Sequence, residues 1–130
     1  MSPKALCPCH SGKSYIECCK PFHDGIKRPE NALLLMRSRY AAYSSQLPDY
    51  IISTTHPDNV SSLINKQEIL RFCKNTEFIN LKIIDFSEHD DTAYVTFHAV
   101  LKQNGSDASF TEKSSFKKVD GAWLYHARLG

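Results

Sequence analysis

The sequence predicts an α+β protein, three helices followed by an antiparallel sheet, with a small metal-binding knuckle ahead of them. Three observations carry this reading. All six prolines fall within the first 57 residues, so sharply bounded helices belong to the first half. The second half lacks proline and alternates apolar with polar residues in several runs, the period of half-buried strands. Four of the five cysteines crowd into Cys7-Pro8-Cys9-His10-Ser11-Gly12-Lys13-Ser14-Tyr15-Ile16-Glu17-Cys18-Cys19.

Four thiolates so near in sequence can converge on one tetrahedral ion, with Zn–S bonds of ~2.3 Å. A disulfide framework suits them less, because adjacent cysteines seldom pair and Met1-Ser2-Pro3-Lys4 opens no secretory signal. A reduced, metal-free tail is the plainer alternative. We expect one structural Zn(II) per chain on Cys7, Cys9, Cys18 and Cys19, and a reducing, cytoplasmic location. The four thiolates complete the shell, so His10 and His23 are read as solvated neighbours. Loss of zinc is expected to unfold residues 1–22 alone.

This stretch resembles the SEC-C motif, the zinc module also found at the C-terminus of the SecA translocation ATPase. Cys7, Pro8, Cys9, Ser11, Gly12, Lys13, Tyr15, Cys18 and Cys19 match it. His10 replaces a glycine of the motif, which implies a backbone that avoids the left-handed region there.

The remaining chain has room for one ordinary domain: residues 1–22 form the knuckle, 23–29 a polar linker and 30–130 the domain. Hydrophobic residues make up 42% and charged residues 23%, as in globular proteins. No apolar run approaches the ~20 residues of a membrane span. A net charge of +2, with its sixteen basic residues spread along the chain, argues against nucleic acid.

A helix follows the linker: Pro29 suits its first turn, Glu30 favours the positive end of its dipole, and residues 32–45 contain no breaker. At ~100° per residue, Ala32, Leu35, Met36, Tyr40 and Tyr43 form one broad face. Arg39 falls inside that face, whereas Arg37 and Ser38 lie at or beyond its edge. Pro48-Asp49 opens a short helix over 50–55, which Pro57 ends. Residues 62–74 read as a third helix, where Leu63, Ile64, Ile69, Leu70 and Phe72 are amphipathic and Cys73 is a small buried residue.

Strands are expected over 78–86, 92–102, 109–118 and 122–129. In the first, Leu81 and Ile83 oppose Phe78, Ile84 and Phe86. Asn104-Gly105 and Asp120-Gly121 are hairpin signals. In the third, Phe110, Glu112, Ser114 and Phe116 share a face, and in the fourth Trp123, Tyr125 and Leu129 do. Glu112 among phenylalanines is the expected partner of the buried Arg39.

Here the resemblance widens. Leu35-Met36-Arg37-Ser38-Arg39-Tyr40-Ala41-Ala42-Tyr43, the stretch from Asp49 to Pro57, Glu112-Lys113-Ser114-Ser115-Phe116 and Gly121-Ala122-Trp123-Leu124-Tyr125 resemble the YchJ-like family. That family joins an N-terminal SEC-C motif to an NTF2-like, cystatin-related cone, in which helices pack on a curved antiparallel sheet. Two departures stand out: Thr55 where the family usually has tryptophan, and Ala127-Arg128 in place of Asp-Gly.

Three functional readings follow. The leading one is a non-catalytic zinc protein that docks on a protein or ribosome-associated partner through its knuckle. The second is a small-molecule binder or enzyme using the cone interior, with Arg39, Tyr40, Tyr50, His56, His98 and Glu112 as polar candidates. No nucleophile–base pair or phosphate loop accompanies them. The third, nucleic-acid binding, lacks a basic stripe. NTF2-like domains commonly dimerise through the convex sheet face, so a homodimer is a further expectation, although Lys113, Ser115 and Lys117 read as solvated there.

Overall fold

The computed structural model describes residues 5–59 and 65–130. Its helices are α1 (Lys20–His23), α2 (Ala32–Ser44), α3 (Pro48–Ser53) and α4 (Lys66–Lys74). The strands are β1 (Thr76–His89), β2 (Thr92–Gln103), β3 (Ser106–Asp107), β4 (Phe110–Val119) and β5 (Ala122–Arg128). The sheet is antiparallel in the order β1-β2-β4-β5, with short β3 pairing β2.

The Asn31 side chain caps α2 by accepting from the Leu34 amide at 2.8 Å. The helix then runs without a breaker to Ser45 and a left-handed Gln46. Its Ala32, Leu35, Met36 and Tyr40 meet Val95, Phe97, Leu101, Phe116 and Trp123 of the sheet in the main core. The opposite side is buried too: Ser38 and Ala41 are both 0% exposed. Periodicity found only the sheet-facing side. Ser38 and Ala41 are covered instead by the knuckle and by Tyr50.

Pro48 opens α3, as its fixed φ favours. Asn65 caps α4 by accepting from Glu68 N at 2.9 Å. Of the helix expected over 62–74, positions 62–64 lie outside the described residues, and α4 buries Ile69 and Cys73.

Strand β1 departs from simple alternation. Register shifts between Phe78 and Asn80, and between Ile83 and Asp85, each insert one residue against β2. Alternation therefore reverses twice. Phe78, Leu81, Ile83 and Phe86 all pack on the core, and Ile84 is 59% exposed. Both expected hairpin turns form, with positive φ at Asn104-Gly105 and Asp120-Gly121, the twist that suits a two-residue turn. In β5, Trp123 is buried, while Leu129, expected beside it, lies beyond the strand and is 54% exposed.

The segment read as a linker is anchored at both ends. His23 belongs to α1 and bonds Ser38 O at 2.8 Å, and Arg28 Nη1 donates to Asp120 O at 3.3 Å.

Candidate functional site

The knuckle folds by reversing on itself. Leu6 and Ser14 form an antiparallel bridge, and the Cys7 amide donates to Lys13 O at 2.8 Å. The reversal uses left-handed backbone at His10 (φ 62°) and Gly12 (φ 88°). His10 thus adopts the conformation that its replacement of glycine was expected to avoid, and its ring rests edge-on against Tyr40, 5.8 Å between centroids.

These turns bring Cys7 and Cys9 against Cys18 and Cys19, whose sulfurs all lie within 4.8 Å of one another. Cys9 Sγ is 3.6 Å from Cys18 Sγ, and Cys18 Sγ is 3.8 Å from Cys19 Sγ. A tetrahedron with ~2.3 Å metal–sulfur bonds separates its sulfurs by about 3.8 Å, so the thiols fit a four-coordinate ion. None is in a disulfide. Hydrogen bonds from the Cys19 and Cys7 thiols hold Cys9 far below the usual thiol range. Donation to Cys7 and Cys9, together with burial, drives Cys19 far above it. Complete ionisation of such a cluster needs a cation at its centre.

The cluster is closed from the side of the fold. Ser11 Oγ lies 3.2 Å from Cys18 Sγ, and Arg37 Nη1 donates to Cys9 O at 3.0 Å. His23 is unavailable as a ligand. Its Nε2–H donates to Ser38 O and its Nδ1 accepts from Tyr15 OH at 2.7 Å, an arrangement of the neutral ring that burial favours.

The second feature is a cavity of about 390 Å³ between α2, α4 and the concave sheet face. Met36, Ile69, Phe72, Phe78, Phe97 and Phe110 give it a largely apolar wall. Arg39, Tyr40 and Glu112 are among its lining residues, together with Ser114, Tyr125 and Glu68.

The expected Arg39–Glu112 ion pair does not form. Arg39 Nη1 donates instead to Ile51 O (2.9 Å), Thr54 Oγ1 (2.7 Å) and Thr55 Oγ1 (3.1 Å). Its guanidinium lies over the Tyr125 ring, 4.7 Å from the centroid. Glu112 Oε2 accepts from Ser114 Oγ and from Tyr125 OH (3.2 Å), while its Oε1 lies 3.8 Å from Arg128 Nε. The pairing fails because nearer oxygens at the end of α3 satisfy one guanidinium nitrogen and Tyr125 stands between the two charges. Thr55 supplies one of those oxygens. Glu112→Gln is therefore expected to cost on the order of 1 kcal/mol, the scale of an altered hydrogen bond, rather than the ~3–5 kcal/mol of a broken buried pair. Urea denaturation of the two proteins checks this, and a loss in the upper range would restore the ion pair.

Three other candidates lie elsewhere. Tyr50 is turned toward the knuckle, its hydroxyl 2.7 Å from Ser38 Oγ and its ring 4.8 Å from that of His23. His98 points to the outer face of β2, where Nδ1 meets Thr111 Oγ1 at 2.9 Å. His56 sits beyond α3, its ring 5.2 Å from that of His126 and its Nδ1 accepting from Asp58 N. Alternation places His98 on the outer face, opposite Val95, Phe97 and Ala99. Sequence reasoning missed Tyr125 and Ser114 as polar members of the cavity. The signals were present, since Ser114 shares the face of Glu112 and Tyr125 follows Trp123 by two.

A family model described as "YchJ, middle NTF2-like domain" matches residues 31–127. The chain belongs to the YchJ-like family. A UPF0225 protein of Actinobacillus succinogenes is 37% identical over 123 residues, covering 93% of this chain and 79% of that relative. One of Deinococcus radiodurans is 38% identical over 124 residues, covering 95% and 88%. Among solved structures, a SEC-C motif containing protein from Rhodopseudomonas palustris superposes with a TM-score of 0.87 at 32% identity, covering 95% of this chain and 97% of that one. Another, from Psychrobacter arcticus, gives 0.83 at 27% identity, covering 98% and 84%. The family's NTF2-like part thus begins at the cap of α2, and the cysteine cluster precedes it. No helix among the described residues is long and apolar enough to cross a membrane.

Proposed function

We propose that the cone binds a small, largely apolar molecule, and that a structural zinc in the knuckle holds in place the helix that carries Arg39. The observation behind this reading is the cavity of about 390 Å³, a size usual for ligand pockets, with a few polar groups on an apolar wall. Four thiolates at tetrahedral spacing support a metal site and suit zinc. Four ligands leave no open position, so its role is structural. The cavity's hydroxyls, Ser114 Oγ and Tyr125 OH, both donate to Glu112, which we read as holding that carboxylate in place, so the reading is one of binding.

Uptake of an apolar probe tests it. Octan-1-ol should bind the zinc-loaded chain, as followed by calorimetry. Ala99→Phe, which fills the cavity from the sheet, should abolish that uptake with the far-UV circular dichroism unchanged. Undiminished uptake by the variant, or none by the parent chain, would remove the pocket reading.

Docking of the knuckle on a protein or ribosome-associated partner keeps an observation of its own. Leu6, Ile16 and Ile26 are 70%, 47% and 75% exposed, and Lys13, Lys20 and Lys27 lie near them in sequence. Isolated exposed apolar residues are common on protein surfaces, however, whereas a cavity of this size is less so.

A further inference from the structure

Arg39 is 8% exposed and lines the cavity, yet none of the ion pairs among the described residues includes it. A buried guanidinium needs either an anion or a full set of acceptors. Only Nη1 has acceptors. Nε and Nη2 donate to no described residue, and they are not sealed off, since Trp123 Nε1 is the one described side-chain atom both sealed and unpartnered. Arg39 is itself among the residues that line the cavity.

The fold does not require this cation. Thr54 Oγ1 already donates to Tyr50 O, and Thr55 Oγ1 to Ile51 O, each at 2.7 Å. The oxygens that Arg39 meets would thus have partners without it. The Tyr125 face offsets part of the charge. Glu112 does not supply the missing anion, being engaged by Ser114, Tyr125 and Arg128. Arg39 and Arg128 against Glu112 leave one positive charge at this end of the cavity. Glu68, the other acidic lining residue, lies on α4 and is exposed.

Resting on the pocket reading above, we infer that the ligand carries a carboxylate that docks on the free nitrogens of Arg39, with its apolar body against Phe97 and Phe110. The ligand class is a small monocarboxylate with an aliphatic or aryl body. Planar guanidinium and carboxylate groups match in two parallel hydrogen bonds, and a dry apolar wall strengthens them.

The test compares octanoate with octan-1-ol by calorimetry on the zinc-loaded full chain. Octanoate should bind about tenfold to a hundredfold more tightly, the ratio that a charge-assisted hydrogen bond supports. Arg39→Met should bring the two affinities together. If that variant does not fold, Glu112→Gln carries the test: losing the nearby negative charge should strengthen octanoate several-fold relative to octan-1-ol. Equal affinities for the two probes in the parent chain would overturn the carboxylate inference while leaving the pocket reading intact. If neither probe binds, both are overturned.

Discussion

Stripping the metal is expected to unfold the knuckle and to destabilise the cone with it. Purified under reducing conditions without added metal, the protein should hold about one zinc per chain. Removal should then lower the melting temperature of the whole molecule. The reason lies on α2. Cys7, Cys9 and Cys19 pack with Ala41 in one buried cluster, Arg37 donates to Cys9 O, and His23 donates to Ser38 O. Sequence reasoning expected residues 1–22 to unfold alone. With Ser38 and Ala41 both sealed by this arrangement, losing it exposes a helix face that also carries Arg39 and Tyr40 on its other side. A loss of ~2–3 kcal/mol would lower Tm by about 10 °C for a domain of this size. Cys9→Ser should act in the same direction, since it removes the most enclosed ligand, 0% exposed. An unchanged Tm after verified zinc removal would mean that the knuckle is only an appendage.

Phe116→Ala is expected to be the most damaging change within the cone, at about 3–5 kcal/mol. Phe116 is 1% exposed and lies on the concave face of β4, opposite Ala93 of β2, with its ring 5.8 Å from that of Tyr125. Truncation removes the packing of a large side chain beneath a cavity that already exists. The neighbours are held by sheet register and cannot close over the new space, so most of the cavity penalty remains. Urea denaturation with m-values compared measures it. A loss below ~1 kcal/mol would mean that the concave face repacks freely, and that the cavity is not a fixed feature.

Much of this was legible in the sequence, for reasons that can be stated residue by residue. The cysteine spacing identified the cluster because thiolate chemistry is local in sequence. Alternation in β2 and β4 placed Phe97, Phe110, Glu112 and Phe116 on one face, since nothing interrupts those strands. In β1 the same rule failed at Ile79 and Ile84, where bulges insert residues that sequence pattern does not mark. The partner of Arg39 was misread because burial argues only that an oxygen must be near. The three that serve it, from Ile51, Thr54 and Thr55, belong to the end of α3, and only tertiary packing brings them to α2. His10 was misread for a related reason. The four thiols impose the turn, and histidine tolerates the left-handed region better than most residues.

An NMR titration of the zinc-loaded protein with octanoate separates a cone that binds from a knuckle that docks. Shifts should concentrate on the side chains of Phe97, Phe110, Tyr125 and Arg39, with Leu6, Ile16 and Ile26 unmoved. Shifts confined to those three knuckle residues, or no shift in the cone at saturating probe, would contradict the pocket reading.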